Sequence, residues 1–334
     1  MPRHRRIDCP GVVHHVIVRG IERRKIFFDE NDNHEFLKRL ERALLQTGCQ
    51  CYAWALMSNH FHLLIRTGDK SLSDLMRSLQ TGYAIYFNRR HRRSGYVYQN
   101  RYKSILCQED TYFLELVRYI HLNPLRAKVL QNLSELDRYP WTGHSTLMRR
   151  QRRDWQSTDE VLIQFGKRRR GAIRGYREFV SQGLDMGRRE DLMGGGLRRS
   201  AGGWDGVRQL RGAKEFWRGD ERILGDGDFV SDILKRSEET LAKKERLRRS
   251  GWNLPRLVER VCRLKAVKAD AIGKKERTRP LSEARGLIAY WGYHELGIGG
   301  PELAKILGIS RPALSKAIKR GGDHMRDEGL KLIS

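Results

Sequence analysis

Residues 49–65 constrain the fold more than any other stretch. Cys49 to Met57 (Cys-Gln-Cys-Tyr-Ala-Trp-Ala-Leu-Met) reads as a strand, Ser58-Asn59 as a turn, and His60 to Ile65 as a second strand. Two strand-like runs joined by two turn residues pair as a hairpin, and a lone hairpin needs further strands or helices to be stable in water. The flanking sequence supplies both. His14 to Val18 and Tyr96 to Cys107 are strand-like. Asn33 to Thr47 places Phe36, Leu37, Leu40, Leu44 and Leu45 at helical spacing. Ser71 to Asn88 reads as a helix capped by Ser71, with Leu75, Leu79 and Ile85 inward. Asp110 to Leu122 reads as another, capped by Asp110 or Thr111 and carrying Phe113, Leu116, Val117 and Ile120. The expectation is an α+β domain, one antiparallel sheet with helices packed on it.

After Thr146 the texture changes. Basic clusters occupy 148–153 and 167–170, short helices are expected at 161–165 and 172–183, and Gly194 to Gly203 reads as a flexible connection. Phe216 to Leu241 is moderately helical, as are Leu254 to Leu264, Ser282 to Leu296, Glu302 to Leu307 and Ser310 to Lys319. The expected division is a catalytic domain at 1–146, a basic middle region at 147–250 and a helical domain at 251–334.

Charge narrows the partner. Lys and Arg number 66 against 40 Asp and Glu, a formal net charge of +26, which suits a polyanion, nucleic acid before an anionic membrane surface. No apolar run approaches the ~20 residues of a membrane span, and no signal core follows the basic start, so a cytoplasmic, nucleoid-associated protein is expected. The five cysteines are odd in number and include no Cys-x-x-Cys. Reduced, buried thiols are expected rather than a zinc knuckle or a disulfide framework.

His60-Phe61-His62 opens the second strand of the hairpin. Alternate strand residues share a face, so the two imidazoles point the same way and can take two positions on one divalent ion. On the motif alone such a pair is more often a surface or core feature than a metal site. Its place at the start of a strand, just after a turn, gives it a rigid base. Tyr119 and Asn123, four apart in Arg118-Tyr119-Ile120-His121-Leu122-Asn123-Pro124, are neighbours on a helix face. Pro124 biases Asn123 to the last turn or just beyond it. From spacing alone, a tyrosine such as Tyr119 on an amphipathic helix is more often a core residue than a functional one.

Together these stretches resemble the single-tyrosine HUH transposases, especially those associated with repetitive extragenic palindromes. The matching residues are Met57 to Leu64, Gln99 to Ser104 and Arg118 to Ala127, with His15 to Gly20 similar to the family's first strand. The likeness spans roughly residues 10 to 145. It implies a ferredoxin-like antiparallel sheet. It implies Mg²⁺ or Mn²⁺ held by His60 and His62 with Asn123 as a third, polar ligand, and Tyr119 as nucleophile. It also implies a single-stranded DNA substrate, often beside a hairpin, and relatives that are commonly dimers. A tyrosine attacking a phosphodiester forms a 5′-phosphotyrosine and keeps the bond energy for rejoining. Arg101 and Lys103, two apart on a strand-like run, are expected to contact DNA phosphates, with a solvated basic strand equally compatible.

Pro301 to Ile318 has helix-turn-helix character. Ala304 is small where two helices would cross, Gly308 permits a left-handed turn, Ser310 would cap the second helix and Pro312 fits its first turn. Leu314 and Ile318 would face the core. Arg311, Ser315, Lys316 and Lys319 then lie on or near an exposed face suited to the major groove of duplex DNA. With Ser282 to Leu296 ahead of it, this segment resembles the DNA-binding domain of the bacterial replication initiator DnaA.

These readings converge on a transposase that cleaves and rejoins single-stranded DNA and is brought to a locus by a duplex-binding module. A non-catalytic DNA-binding regulator is the main alternative. A water-using metal phosphodiesterase is the second, and an RNA-binding protein, lacking an aromatic sheet motif for base stacking, is the third.

Overall fold

Which side chains reach the core is decided by strand alternation, because the central sheet is covered on both faces. A computed structural model describes residues 7, 9–68, 70–187, 189, 192, 222–274, 276 and 278–333. The chain divides into two compact units, Met1–Leu234 and Lys235–Ser334.

In the first unit the strands are β1 (Val13–Arg19), β2 (Gln50–Met57), β3 (His60–Arg66), β4 (Lys103–Cys107) and β5 (Ile223–Leu224), in the order β2-β3-β1-β4-β5. The hairpin forms as expected, Met57 opposite His60, and β1 pairs antiparallel with both β3 and β4. The expectation of a purely antiparallel sheet is corrected at its edge. Ile223–Leu224 pairs parallel with Leu106–Cys107, so the sheet is mixed. The anticipated strand from Tyr96 also shortens. Tyr98 makes a single bridge to Gly20, and the chain then bends before β4 begins at Lys103.

One face of the sheet is closed by α1 (Glu30–Thr47) and α2 (Leu72–Arg90), which pack Phe36, Leu40, Leu79, Tyr83 and Phe87 against Val16, Val18, Phe61, Leu63 and Ile65. Ser71 caps α2 by accepting from Asp74 N. Ile85, expected inward, is exposed, because the buried stripe runs Leu79, Tyr83, Phe87 and Ile85 falls across the helix from it. Leu45 is likewise turned out, one position past Leu44.

The other face is closed by α3 (Glu109–His121), which contributes Phe113, Leu116, Val117 and Ile120. Neither Asp110 nor Thr111 caps it. The helix begins earlier, after Gln108, whose side chain is engaged instead with Asp226, accepting from its N–H at 3.0 Å and donating to Oδ2 at 2.7 Å. Short helices follow: α4 (Asn123–Arg126), α5 (Leu133–Arg138), α6 (His144–Leu147) and α7 (Asp159–Leu162), the last running into a 3₁₀ turn at Ile163–Phe165. With α8 (Arg169–Ser181) they lay Leu136, Leu147, Val161, Leu162, Ala172, Tyr176 and Val180 into the same core as α3. The chain on either side of α6 runs along the free edge of β2: before it Trp141 O accepts from Leu56 N–H, and after it Ser157 N–H donates to Cys51 O, both 2.9 Å. That edge is therefore not left open for another strand.

The Gly-rich stretch 194–203 lies outside the described residues, as do 216–221 of the moderately helical segment. Beyond them α9 spans Gly227–Arg249, and the boundary between the two units falls within it. The second unit is α-helical: α10 (Leu254–Leu264), α11 (Arg279–His294), α12 (Gly300–Ile306) and α13 (Arg311–Asp327). Its core contains Leu257, Val261, Leu287, Trp291, Leu303, Leu314 and Ile318. Ser310 caps α13 by accepting from Ala313 N, and Gly308 turns with φ +60°. All five cysteines are buried and free. Among the described residues no helix is long and apolar enough to cross a membrane.

Two glycines set how closely α11 and α13 approach: a Cβ on Gly321 would lie 1.9 Å from Gly286 O. Gly321→Ala therefore cannot be accommodated without parting two backbones. It is expected to destabilise the second unit by on the order of 1–3 kcal/mol, seen as a lower midpoint in a thermal melt. A midpoint equal to or above that of the parent would show that the crossing has room to spare.

Candidate active site

Directly paired residues on neighbouring strands share a face, so register alone assembles the site. His62 pairs with Ile17, His60 with Arg19 and His15 with Leu64, while Lys103 pairs with Ile17. His15, His60, His62, Arg19 and Lys103 thus project from the face that α3 covers, and Phe61 goes to the opposite core. The expected split of His60 and His62 from Phe61 is what the strands produce.

Tyr119 comes to the same place from α3. Its ring centroid lies 6.2 Å from that of His62 and 5.9 Å from that of His15. The His60 and His62 rings are 5.2 Å apart. Tyr119 is only 4% exposed. Arg126 lies against the ring, its guanidinium carbon 4.9 Å from the centroid, and its Nη1 donates to Tyr119 O at 3.0 Å.

Asn123 sits just past α3, at the first position of α4. Its Nδ2 donates to Tyr119 O and Ile120 O, both at 3.1 Å, which closes the end of α3 and leaves only Oδ1 for a ligand. Arg101 stands exposed in the bend before β4, not in the strand, so it does not alternate with Lys103 along one face. Lys103 is exposed at the start of β4, and its charge acts on His15. Lys316 and Lys319 are exposed on α13, with Leu314 and Ile318 buried beneath them. Arg311 and Ser315 occupy the same helix one turn apart.

Sequence reasoning missed His15 as a site residue. It stacks on His62, with ring centroids 5.2 Å apart and its Nε2 3.0 Å from His62 Nδ1. The signal was His14-His15 at the start of a strand. Which of the two faced His62 became readable only with the β1–β3 register, since His14 turns away to Ser104 Oγ at 2.9 Å.

Burial pushes the His15 and His60 imidazoles down to about 4. His62 falls well below its usual range, first by burial and then by its neighbours His15 and His60 and by Arg19. All three are therefore neutral near pH 7, the form that ligates a metal. His60 donates Nδ1–H to Asn59 Oδ1 at 2.7 Å, which leaves Nε2 as its lone-pair nitrogen. For His62 to ligate through Nε2 it must donate Nδ1–H to His15, whose own proton then rests on Nδ1, with the backbone of Leu192 nearby. The donor set fits a divalent ion, with two nitrogens from the protein and the remaining positions left to other oxygen ligands.

Among the described residues, one set of three His, Cys, Asp or Glu side chains is close enough to hold an ion: Glu283, His324 and Glu328, in the second unit. There the Lys265 ammonium already stands 2.7 Å from Glu328 and 3.4 Å from Glu283.

His121, on the same helix as Tyr119, points away from the site. Its Nδ1 meets Tyr176 OH at 2.7 Å. The same hydroxyl meets His144 Nδ1 at 2.9 Å, and His144 continues to Asp137 at 2.9 Å. This buried chain ties α8 to the helix that carries Tyr119.

A His-x-His strand facing a helix-borne tyrosine across one sheet face is the frame expected of a single-tyrosine HUH protein. Residues 10–123 match the family model described as "Transposase IS200 like", so this segment, about a third of the chain, is similar to that family. Among solved structures the chain is similar to one titled "Structure of the REP associates tyrosine transposase bound to a REP hairpin". That likeness has 16% identity, covers 50% of this chain and 98% of that one, and has a TM-score of 0.38. None of the curated proteins matches the chain.

Tyr176→Phe tests the buried chain. It would leave two interior imidazoles without their shared hydroxyl, at a cost of about 1–3 kcal/mol for the unsatisfied groups. The first unit should then melt earlier and α8 amides should exchange faster. Unaltered exchange in α8 would show that apolar packing alone holds it.

Proposed function

We propose that this transposase-family chain nicks and rejoins single-stranded DNA through Tyr119, on a ferredoxin-like core, at a site where His60 and His62 hold Mg²⁺ or Mn²⁺. The supporting observation is the meeting of Tyr119 with neutral histidines on one sheet face, His62 at 6.2 Å between ring centroids. When bound, the ion would polarise the scissile phosphate and offset its developing charge.

Tyr119 Oη attacks the phosphorus and the P–O3′ bond breaks. The phenol proton is released to solvent, and the departing 3′ oxygen takes up a proton to become a 3′-hydroxyl. The product is a 5′-phosphotyrosine, which a later 3′-hydroxyl attacks to rejoin DNA and free the tyrosine. Arg126 against the Tyr119 ring holds the side chain in place, and Lys103 at the start of β4, with Arg101 in the bend before it, supplies charge for the flanking phosphates. Asn123 would offer Oδ1 as a third ligand.

The functional division belongs to the same proposal: cleavage by residues 1–146, duplex recognition by 251–334 and a basic middle at 147–250, of which residues up to 234 belong to the first unit. In the last, the Gly308 turn and the Ser310-capped α13 are read as a helix-turn-helix resembling that of DnaA, with Arg311, Ser315, Lys316 and Lys319 toward the groove. Hairpins near the cut, dimer formation and residence at the nucleoid belong to the same proposal.

The test uses end-labelled single strands carrying palindromes, incubated with the full chain and Mn²⁺ and run on a denaturing gel. A labelled band at protein size is expected for the parent, and none for Tyr119→Phe or His60→Ala. Cleavage without an adduct, undiminished in Tyr119→Phe, would replace this reading with a water-using nuclease. Duplex binding without any cleavage, lost on truncation before Ser282, would replace it with a regulator. A second expectation concerns His15. Loss of the partner that orients His62 should weaken Mn²⁺ binding by about 10–100-fold in His15→Ala, measured calorimetrically. An unchanged affinity would remove His15 from the metal's support.

A further inference from the structure

β2 and β3 have two ends. At one, Met57 pairs with His60; at the other, Gln50 pairs with Arg66. At about 3.3 Å per residue, the strand separates these ends by roughly 20 Å. The chain between α6 and α7 is fastened toward the Gln50 end. Cys51 and Gln156 form a bridge, Gln156 Nε2 donates to Tyr52 O at 3.3 Å and Gly143 O at 3.1 Å, and its Oε1 accepts from Trp54 Nε1 at 2.9 Å.

So anchored, this segment walls an open hollow of about 750 Å³ whose lining includes Arg149, Arg150, Arg152, Arg153 and Arg169. Two of these are balanced locally, Arg152 by Asp154 and Arg169 by Asp159, both at 2.9 Å. Arg149 and Arg150 have no carboxylate partner among the described residues. Arg153 feels Glu41 only beyond ion-pair distance, and its Nε is buried with no hydrogen-bond partner. Arg149 is held at φ +57°, a left-handed conformation that an arginine adopts at a cost. Three under-partnered guanidinium groups around one hollow, on a segment tied to the sheet by side chain and backbone, form a ready receptor for phosphate oxygens, which guanidinium binds in a bidentate fork.

We propose that this hollow is a second DNA-binding site, which grips the sugar-phosphate backbone roughly 20 Å from His60. The inference rests on reading Tyr119 as a DNA nucleophile, and it lies outside residues 10–123 that the family model covers.

The experiment measures binding of the full chain to a fluorescent 25-nucleotide oligo-dT by anisotropy, across a KCl series. The triple variant Arg149→Gln, Arg150→Gln, Arg153→Gln is set beside a control of equal charge loss at exposed positions away from the hollow: Lys128→Gln, Arg138→Gln, Arg174→Gln. A double variant, Arg149→Gln with Arg150→Gln, alters only exposed side chains and guards against misfolding. Each lost phosphate contact lowers the slope of log K on log salt by about 0.7. The triple variant should therefore lose about 2 from the slope and bind at least tenfold more weakly, the double about 1.4, and the control a fraction of that. Equal losses in the triple variant and the control, or an unchanged slope in the triple variant, overturn the proposal, while the Tyr119 adduct continues to decide the nuclease reading. A parent chain that neither binds the oligonucleotide nor forms the adduct overturns both.

Discussion

β3 is buried on both of its faces, and the two faces do different work. Phe61, Leu63 and Ile65 enter an apolar core under α1 and α2, while His60 and His62 stand on the side that α3 covers. A slip of one residue in the β1–β3 register would exchange these sets. It would bury two imidazoles among phenylalanines and turn Phe61 toward Tyr119. The same packing that stabilises the sheet therefore holds the histidines in place. A site set on a strand at the middle of a covered sheet inherits the rigidity of the core.

Desolvation is the second consequence of that position. Enclosure lowers the affinity of all three imidazoles for protons, so they are presented as neutral nitrogens without help from an acidic neighbour. Among the described residues no carboxylate completes a three-residue ion site with them. The positive surroundings, Arg19, Lys103 and Arg126, are set instead for an anion that arrives with its own oxygens.

Much of this was legible in the sequence where a local rule governs. The hairpin, the Ser71 and Ser310 caps, the turn at Gly308 and the partition of His60 and His62 from Phe61 each follow from a few neighbouring residues. What escaped depended on partners distant in sequence. His15 became a site residue through strand pairing, 47 positions from His62. β5 joined the sheet from residue 223 and made it mixed, and Gln108, not Asp110 or Thr111, precedes α3 because Asp226 engages its side chain. Ile85 was misplaced because aromatic Tyr83 and Phe87 outcompete it for the buried stripe of α2. Asn123 was placed correctly by Pro124, but its amide is taken up by carbonyls at the end of α3.

The helix that carries Tyr119 is not completed by the segment that marks the family. Its outer side is roofed by Val161, Leu162, Ala172, Tyr176 and Val180; Arg118 donates to Phe179 O at 3.2 Å, and Arg189 pairs with Glu115. The match to the family model ends at residue 123, yet the apolar side of α3 is sealed by chain that arrives 40 to 70 residues later. Heredity and solvation thus draw different borders on this molecule. The portion that matches the family model could not by itself keep water from the helix that carries Tyr119, so that segment in any other context would need a roof supplied from elsewhere.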